Sequence, residues 1–205
     1  MGLFLSAHGT EAPSEWVCRW SHLIPDTRPG GPRTLDVACG HGRHTRWLVR
    51  QGCHVTALDR DADALASLAP LAPQVRTVQA DIENKPWPLP AQAFDAVVVT
   101  NYLWRPLWPH ILGSLAAGGV LIYETFAHGN ASVGKPSRPD FLLQPGELLQ
   151  VCKDLRVVAF EDGFLHEPDR YVQRIVAIAP TSPNAPLQES SAPATPPRYL
   201  LRATG

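Results

Sequence analysis

Apolar positions along this chain alternate between two rhythms. Arg33–Ala38, His54–Asp59, Val75–Gln79, Phe94–Thr100 and Val120–Thr125 are short, β-branched or apolar runs that predict strands. In Phe94-Asp95-Ala96-Val97-Val98-Val99-Thr100 nearly every position is apolar, as expected of a strand covered on both faces. Between these runs the spacing turns helical, over His44–Gln51 with Gly52 as its stop, over Asp61–Leu68, and over Pro109–Ala117 ended by Gly118-Gly119. Strands alternating with helices at these intervals predict a parallel sheet flanked by helices. Upstream, Trp16, Val17, Trp20 and Leu23 share one face of a helix over Glu15–Leu23, with Ser14 placed to cap it. That face is either a packing surface or a lid over a ligand. Prolines break Ile82–Gln92 into a loop. Ala127–Leu142, rich in Gly, Pro, Ser and Asn, predicts a long loop of the kind that carries function or stays disordered. A helix over Pro145–Lys153 and strands Leu155–Glu161 and Tyr171–Ile178, pairing as a hairpin, complete the pattern.

This divides the chain into a flexible lead (1–13), one α/β domain (14–178) and a Pro-rich tail (179–205), of which Pro196–Leu201 is a candidate to dock back on the body. The net charge of −1 gives no electrostatic case for nucleic acid. No apolar run approaches the roughly 20 residues that a membrane span needs, and the N-terminus lacks the basic and apolar regions of a signal peptide. Cys18, Cys39, Cys53 and Cys152 are widely spaced without a C-x-x-C pair, which suits free thiols and the cytoplasm.

The chemistry concentrates where the strands end, since ligands of an open parallel sheet bind outside the carboxyl ends of its strands. The first strand runs into Ala38-Cys39-Gly40-His41-Gly42, a turn whose glycines let backbone N–H groups approach a ligand. The second ends in Asp59, suited to a vicinal diol such as a ribose, and the third is followed by Asp81, which can accept from an exocyclic amine. The fourth leads into Thr100-Asn101-Tyr102 and the fifth ends at Glu124-Thr125-Phe126. A dinucleotide site would need a third glycine after Gly40-His41-Gly42 and has no role for Asp81. His41, His44 and Cys39 lie too close on one tight turn to converge on a metal, so no metal site is expected.

Leu35-Asp36-Val37-Ala38-Cys39-Gly40-His41-Gly42, then Asp59, Asp81-Ile82, Phe94–Val99 and Gly118–Ile122 resemble the successive motifs of the class I S-adenosylmethionine-dependent methyltransferases. The resemblance covers about 14–178. His41–His44, Tyr123–Phe126 and Arg138–Leu143 are similar to small bacterial methyltransferases of the tellurite-resistance type. Alanine stands at 38 where the motif usually has glycine. What the resemblance implies is a Rossmann-like, doubly wound seven-stranded sheet with its last strand antiparallel. It implies S-adenosylmethionine held over Asp36, Ala38, Cys39, Gly40, Gly42, His44, Asp59, Arg60, Asp81, Ile82 and Asn101. Asn101, Tyr102, Arg105 and Glu124 are expected to meet a small-molecule acceptor, with His128 as a possible base; Arg43, Arg105 and Arg138 gain weight if that acceptor is an oxyanion or carboxylate. The Pro-Pro motif of amino-group methyltransferases is missing after the fourth strand. An RNA or protein acceptor is the alternative, and a non-catalytic cofactor-binding module with an exposed Trp104–Trp108 surface is a third reading.

Overall fold

The computed structural model describes residues 11–26, 28–181 and 198–201. Strands β1 (Arg33–Val37), β2 (His54–Asp59), β3 (Val75–Gln79), β4 (Phe94–Thr100), β5 (Leu115–Phe126), β6 (Arg156–Leu165) and β7 (Arg170–Ile178) form one sheet in the order β3-β2-β1-β4-β5-β7-β6. β1 to β5 pair in parallel, and β7 alone is reversed, running antiparallel to both β5 and β6. This is the doubly wound Rossmann-like sheet with a reversed last strand.

The pleat sorts the apolar residues onto two cores. Leu35, Val37, Val97, Val99, Leu121 and Tyr123 face one side with Ile111 of α4 (Trp108–Gly113) and Leu148 of α5 (Glu147–Val151). Ala96, Val98, Val120 and Ile122 face the other with Trp16 and Trp20 of α1 (Glu15–Trp20), Leu48 of α2 (Arg43–Arg50) and Leu65 of α3 (Ala62–Ala66). Ser14 caps α1 as expected, its hydroxyl accepting the Trp16 N–H at 3.1 Å. Trp104 and Trp108 pack against the first core instead of forming an open apolar face.

The helix expected over Pro109–Ala117 is half strand. α4 stops at Gly113, and Leu115, opposite Phe94, already belongs to β5. The Gln92 N–H donates to Gly113 O, and those of Ala93 and Phe94 to Ser114 O, so the sheet captures this backbone before another helical turn forms. Gly118-Gly119 therefore lies in a bulge within β5, where a side chain at 119 would press on the Phe94 and Ala116 carbonyls. The 127–142 loop is ordered: Asn130 is buried, with its amide donating to Pro136 O and its Oδ1 accepting the Tyr171 N–H. The expected lead and tail lie mostly outside the described residues. Of the tail, Tyr199 packs on the second core beneath the Arg156 guanidinium, 5.4 Å from its ring.

Asp36 points to the α2 side of β1 and is fully buried, accepting the Thr45 hydroxyl at 2.6 Å. Burial pushes its carboxyl up to about 6, against the hydrogen bonds from Thr45. A carboxyl raised above its unfolded value stabilises the fold fully only below the unfolded pKa, and that contribution fades as pH rises through the folded one. From an ordinary 3.8 to about 6, the loss is on the order of 3 kcal/mol at 1.36 per unit. Asp36→Asn has no such charge to bury. Its unfolding free energy relative to the parent is expected to climb between pH 4 and pH 7 by that amount, read from urea melts at each pH. A pH-independent difference would show that Asp36 stays ionised in the fold.

Candidate functional site

The strand order reverses between β1 and β4, so the connections at their carboxyl ends diverge and leave a crevice. Among the described residues, two of the four non-glycine residues with left-handed backbone lie there: Ala38 after β1 (φ 53) and Asn101 after β4 (φ 54). Such backbone costs an L-residue about 1–2 kcal/mol and gathers at functional sites. Ala38 is where the resembled motif has glycine, and its positive φ is the reason glycine suits that position.

Beyond Ala38 the turn is tied down from two sides. The Cys39 N–H donates to Leu58 O at 3.1 Å, and the Gly40 N–H to Asp59 Oδ2 at 2.7 Å. Gly40 (φ 53) opens onto free space, whereas a side chain on Gly42 (φ 77) would run into Leu68. Gly42 is thus a packing glycine that seats α2. Asp59 Oδ1 also accepts the Asp61 N–H at 2.9 Å. With one backbone donor on each oxygen, the carboxylate keeps an acceptor position on both for a ligand. Asp81 is held similarly, accepting the Asn84 side chain at 2.9 Å and the Glu83 and Asn84 N–H groups. These bonds, the Asn84 side chain foremost, hold its pKa below the usual carboxylate range.

Two cavities meet at Ala38. One, about 220 Å³, is lined by Ala38, Asp59, Arg60, Ala80, Asp81, Ile82, Glu83 and Tyr102. The other, about 390 Å³, is lined by Glu11, Ala38, Cys39, Gly40, His41, Arg43, His44, Thr100 and Asn101. Together they lie in the range of about 300–1,000 Å³ usual for small-molecule sites. The Tyr102 hydroxyl donates to Glu83 Oε1 at 3.2 Å, and burial pushes its pKa up, so it remains a phenol. Burial likewise pushes the Cys39 thiol up and out of the reactive range.

His44 links the crevice to the N-terminal segment. Burial, reinforced by the Arg43 charge, lowers its pKa to about 3, so the ring is neutral. Its Nε2 accepts the Ser14 N–H at 3.0 Å, which puts the ring proton on Nδ1, 3.1 Å from Thr100 Oγ1. The Ser14 hydroxyl donates to Glu124 Oε1 at 3.0 Å, and Glu124 Oε2 accepts from Arg174 at 3.2 Å.

Of the residues singled out in the sequence, Ala38, Cys39, Gly40, His44, Asp59, Arg60, Asp81, Ile82, Asn101 and Tyr102 line one cavity or the other. Asp36, Gly42, Arg105, Glu124 and His128 do not. Glu124 is buried in its pair with Arg174. Arg105 grips Glu147 at 2.6 Å and the Asp140 and Leu142 carbonyls, pinning the 127–142 loop. His128 is exposed, and among the described residues only its backbone is bonded, to Leu143 O. Glu11, Ala80, Glu83 and Thr100 line the cavities without having been anticipated. Thr100 and Glu83 had a signal, being the last residue of β4 and the second residue past Asp81; Glu11 had none. Among the described residues no cluster of His, Cys, Asp and Glu is arranged to hold a metal ion, and no helix is long and apolar enough to cross a membrane.

Residues 34–118 match the methyltransferase domain family. The chain is 33% identical over 108 residues to a malonyl-[acyl-carrier protein] O-methyltransferase of Pectobacterium atrosepticum, covering 50% of this chain but 42% of that protein. It is 25% identical over 165 residues to a trans-aconitate 2-methyltransferase of Sinorhizobium medicae, covering 68% of this chain and 63% of that one. The chain thus spans less than two thirds of either relative. Among solved structures, TehB from Haemophilus influenzae matches the fold with a TM-score of 0.59 at 21% identity, over 72% of this chain and 57% of that one. The matched domain begins in β1 and takes in the glycine turn, Asp59 and Asp81, and the sheet that carries them has the fold of that solved methyltransferase-type neighbour.

Proposed function

We propose that this protein transfers the methyl group of S-adenosylmethionine to a small-molecule acceptor in the crevice between β1 and β4. The observation that carries the reading is the pairing of the two cavities across Ala38: one presents the Asp59 and Asp81 carboxylates, the other has a polar lining partly supplied by the N-terminal segment. In this reading Asp59 binds the ribose diol, Asp81 and Ile82 border the adenine, and the Gly40 turn takes the methionine end. Asn101 and Tyr102 border the acceptor. Arg105 and Glu124 act indirectly, through the loop and the helix they hold. S-adenosylmethionine supplies an activated methyl on sulfur. Held by Asp59, Asp81 and the Gly40 turn, it would donate that methyl group by in-line displacement to an oxygen or other lone pair of an acceptor bordered by Asn101 and Tyr102. Positioning and exclusion of water carry most of the acceleration of such a displacement.

The relative named for trans-aconitate supports a small acceptor, and the one named for a malonyl group on acyl-carrier protein supports a carboxylic acid as the accepting group. Cys18, Cys39, Cys53 and Cys152 are all free thiols, which supports a reducing compartment, the cytoplasm. The test is production of S-adenosylhomocysteine from S-adenosylmethionine with a panel of mono- and dicarboxylic acids and chalcogen oxyanions, alongside bulk tRNA. Turnover with a small acid or oxyanion is the expected result. Turnover with tRNA alone would overturn the small-molecule reading while leaving the cofactor assignment intact.

A further inference from the structure

Tyr102 and Glu83 stand on loops that the sheet keeps apart. Tyr102 lies just past β4 and Glu83 just past β3, and the strand order puts β2 and β1 between those two strands. At about 4.8 Å per strand, the exits of β3 and β4 are about 14 Å apart. The Tyr102 hydroxyl nevertheless donates to Glu83 Oε1 at 3.2 Å. The two loops therefore lean toward each other across the ends of β2 and β1, where Asp59 and Ala38 sit. All four residues line the same cavity of about 220 Å³. Asp59 and Ala38 form its floor, and the hydrogen-bonded pair is an arch across it.

The two feet of the arch are built differently. On the β4 side the backbone is pinned: the Asn101 N–H donates to Glu124 O at 2.9 Å, and the Tyr123 hydroxyl donates to Tyr102 O at 2.8 Å. On the β3 side the Glu83 N–H donates to the neighbouring Asp81 Oδ1 at 3.2 Å, a contact within its own loop. Among the described residues the Glu83 carboxylate has no further hydrogen bond and no ion pair, although Arg60 lines the same cavity. One hydrogen bond, with its acceptor on the looser loop, holds the arch shut.

We propose that Tyr102 and Glu83 form a latch over this cavity, which parts for the nucleoside to enter and to leave. The latch rests on the reading of the crevice as an S-adenosylmethionine site, in which Asp59 holds the ribose from the floor. A latch differs from a wall in its kinetics. A wall holds the ligand by touching it, so removing it speeds release and leaves entry unchanged. A latch whose bond is internal to the protein sets how often the cavity is open. Removing that bond speeds entry and release together and leaves their ratio intact.

Surface plasmon resonance on the immobilised full chain reads both rate constants. The probes are S-adenosylhomocysteine and 5′-methylthioadenosine, which share the nucleoside and sulfur and differ in the amino-acid end. Tyr102→Phe and Glu83→Ala each remove the bond, whereas Glu83→Gln keeps an amide oxygen to accept it; each variant is first shown to melt like the parent. In the first two, kon and koff for both probes are expected to rise by about 2- to 10-fold, the worth of one hydrogen bond, with Kd unchanged. Glu83→Gln is expected to match the parent. A rise in koff alone makes the pair a wall and overturns the latch. An effect on S-adenosylhomocysteine that 5′-methylthioadenosine does not share also overturns it, because the pair then acts on the amino-acid end. Parental rates in both bond-removing variants overturn the latch and leave the cofactor reading standing. If the parent binds neither probe, the cofactor reading itself fails and the latch fails with it.

Discussion

Replacing Asp59 by alanine is expected to lower affinity for S-adenosylhomocysteine by about 100- to 1,000-fold, the loss that follows if its carboxylate makes the two proposed charge-assisted hydrogen bonds to a ribose diol. The argument begins at the end of β2, where each carboxylate oxygen already holds one backbone N–H, from Gly40 at 2.7 Å and Asp61 at 2.9 Å. Those two bonds set the orientation of the carboxylate before a ligand arrives. They also make Asp59 the link between the glycine turn and the start of α3, so the substitution loosens the turn as well as removing the proposed ligand contact. Asp59→Asn separates the two effects. Its amide keeps one acceptor oxygen for the Gly40 N–H but turns an NH2 toward the other donor, and is expected to bind about tenfold more tightly than the alanine variant, the worth of one retained bond. Calorimetric titration reads the affinities, and thermal melts of the unliganded variants show whether the fold has changed. An Asp59→Ala protein within threefold of the parent would remove Asp59 from the cofactor site, because even one lost charge-assisted bond exceeds about 1.5 kcal/mol.

The parts of this site legible in the sequence are those that depend on local backbone. The glycine turn, the acids that follow β2 and β3, and the apolar run of β4 are fixed by neighbours a few residues away, and the turn and both acids meet at the cavities. The fifth helix–strand boundary was not legible, because Leu115-Ala116-Ala117 suits a helix as well as a strand and pairing with Phe94 decides between them. Glu124 was misleading for a related reason. It stands at a strand end beside candidate chemistry, but Arg174 comes from β7, 50 residues later, and only the reversed last strand brings the two together. Arg105 looked like a ligand-binding cation until the fold supplied Glu147 and the carbonyls of the long loop. Long-range partners of charged side chains are what a linear pattern does not encode.

Removing Arg174 tests the largest of those long-range contacts. The side chain of Arg174 is 8% exposed and that of its partner Glu124 1% exposed. The guanidinium also lies over the Trp16 ring, 4.7 Å from its centroid, and reaches Glu161 at 2.6 Å and Glu15 at 3.3 Å. Glu15 and Glu161 are exposed enough for water to screen them, so their pairs contribute little. The Glu124 pair is different, because deleting its cation leaves a charge stranded in the interior where, among the described residues, only the Ser14 hydroxyl donates to it. Arg174→Met is expected to cost about 3–5 kcal/mol, the usual penalty for breaking a buried pair from one side. For a domain of this size that lowers the melting temperature by about 10 °C. The double variant Arg174→Met with Glu124→Gln removes the charge along with its partner, and should recover at least half of that loss in urea unfolding. If the double variant is as unstable as the single one, the cost of losing Arg174 lies in its packing against Trp16, and the ion pair is not what fastens α1 to the sheet.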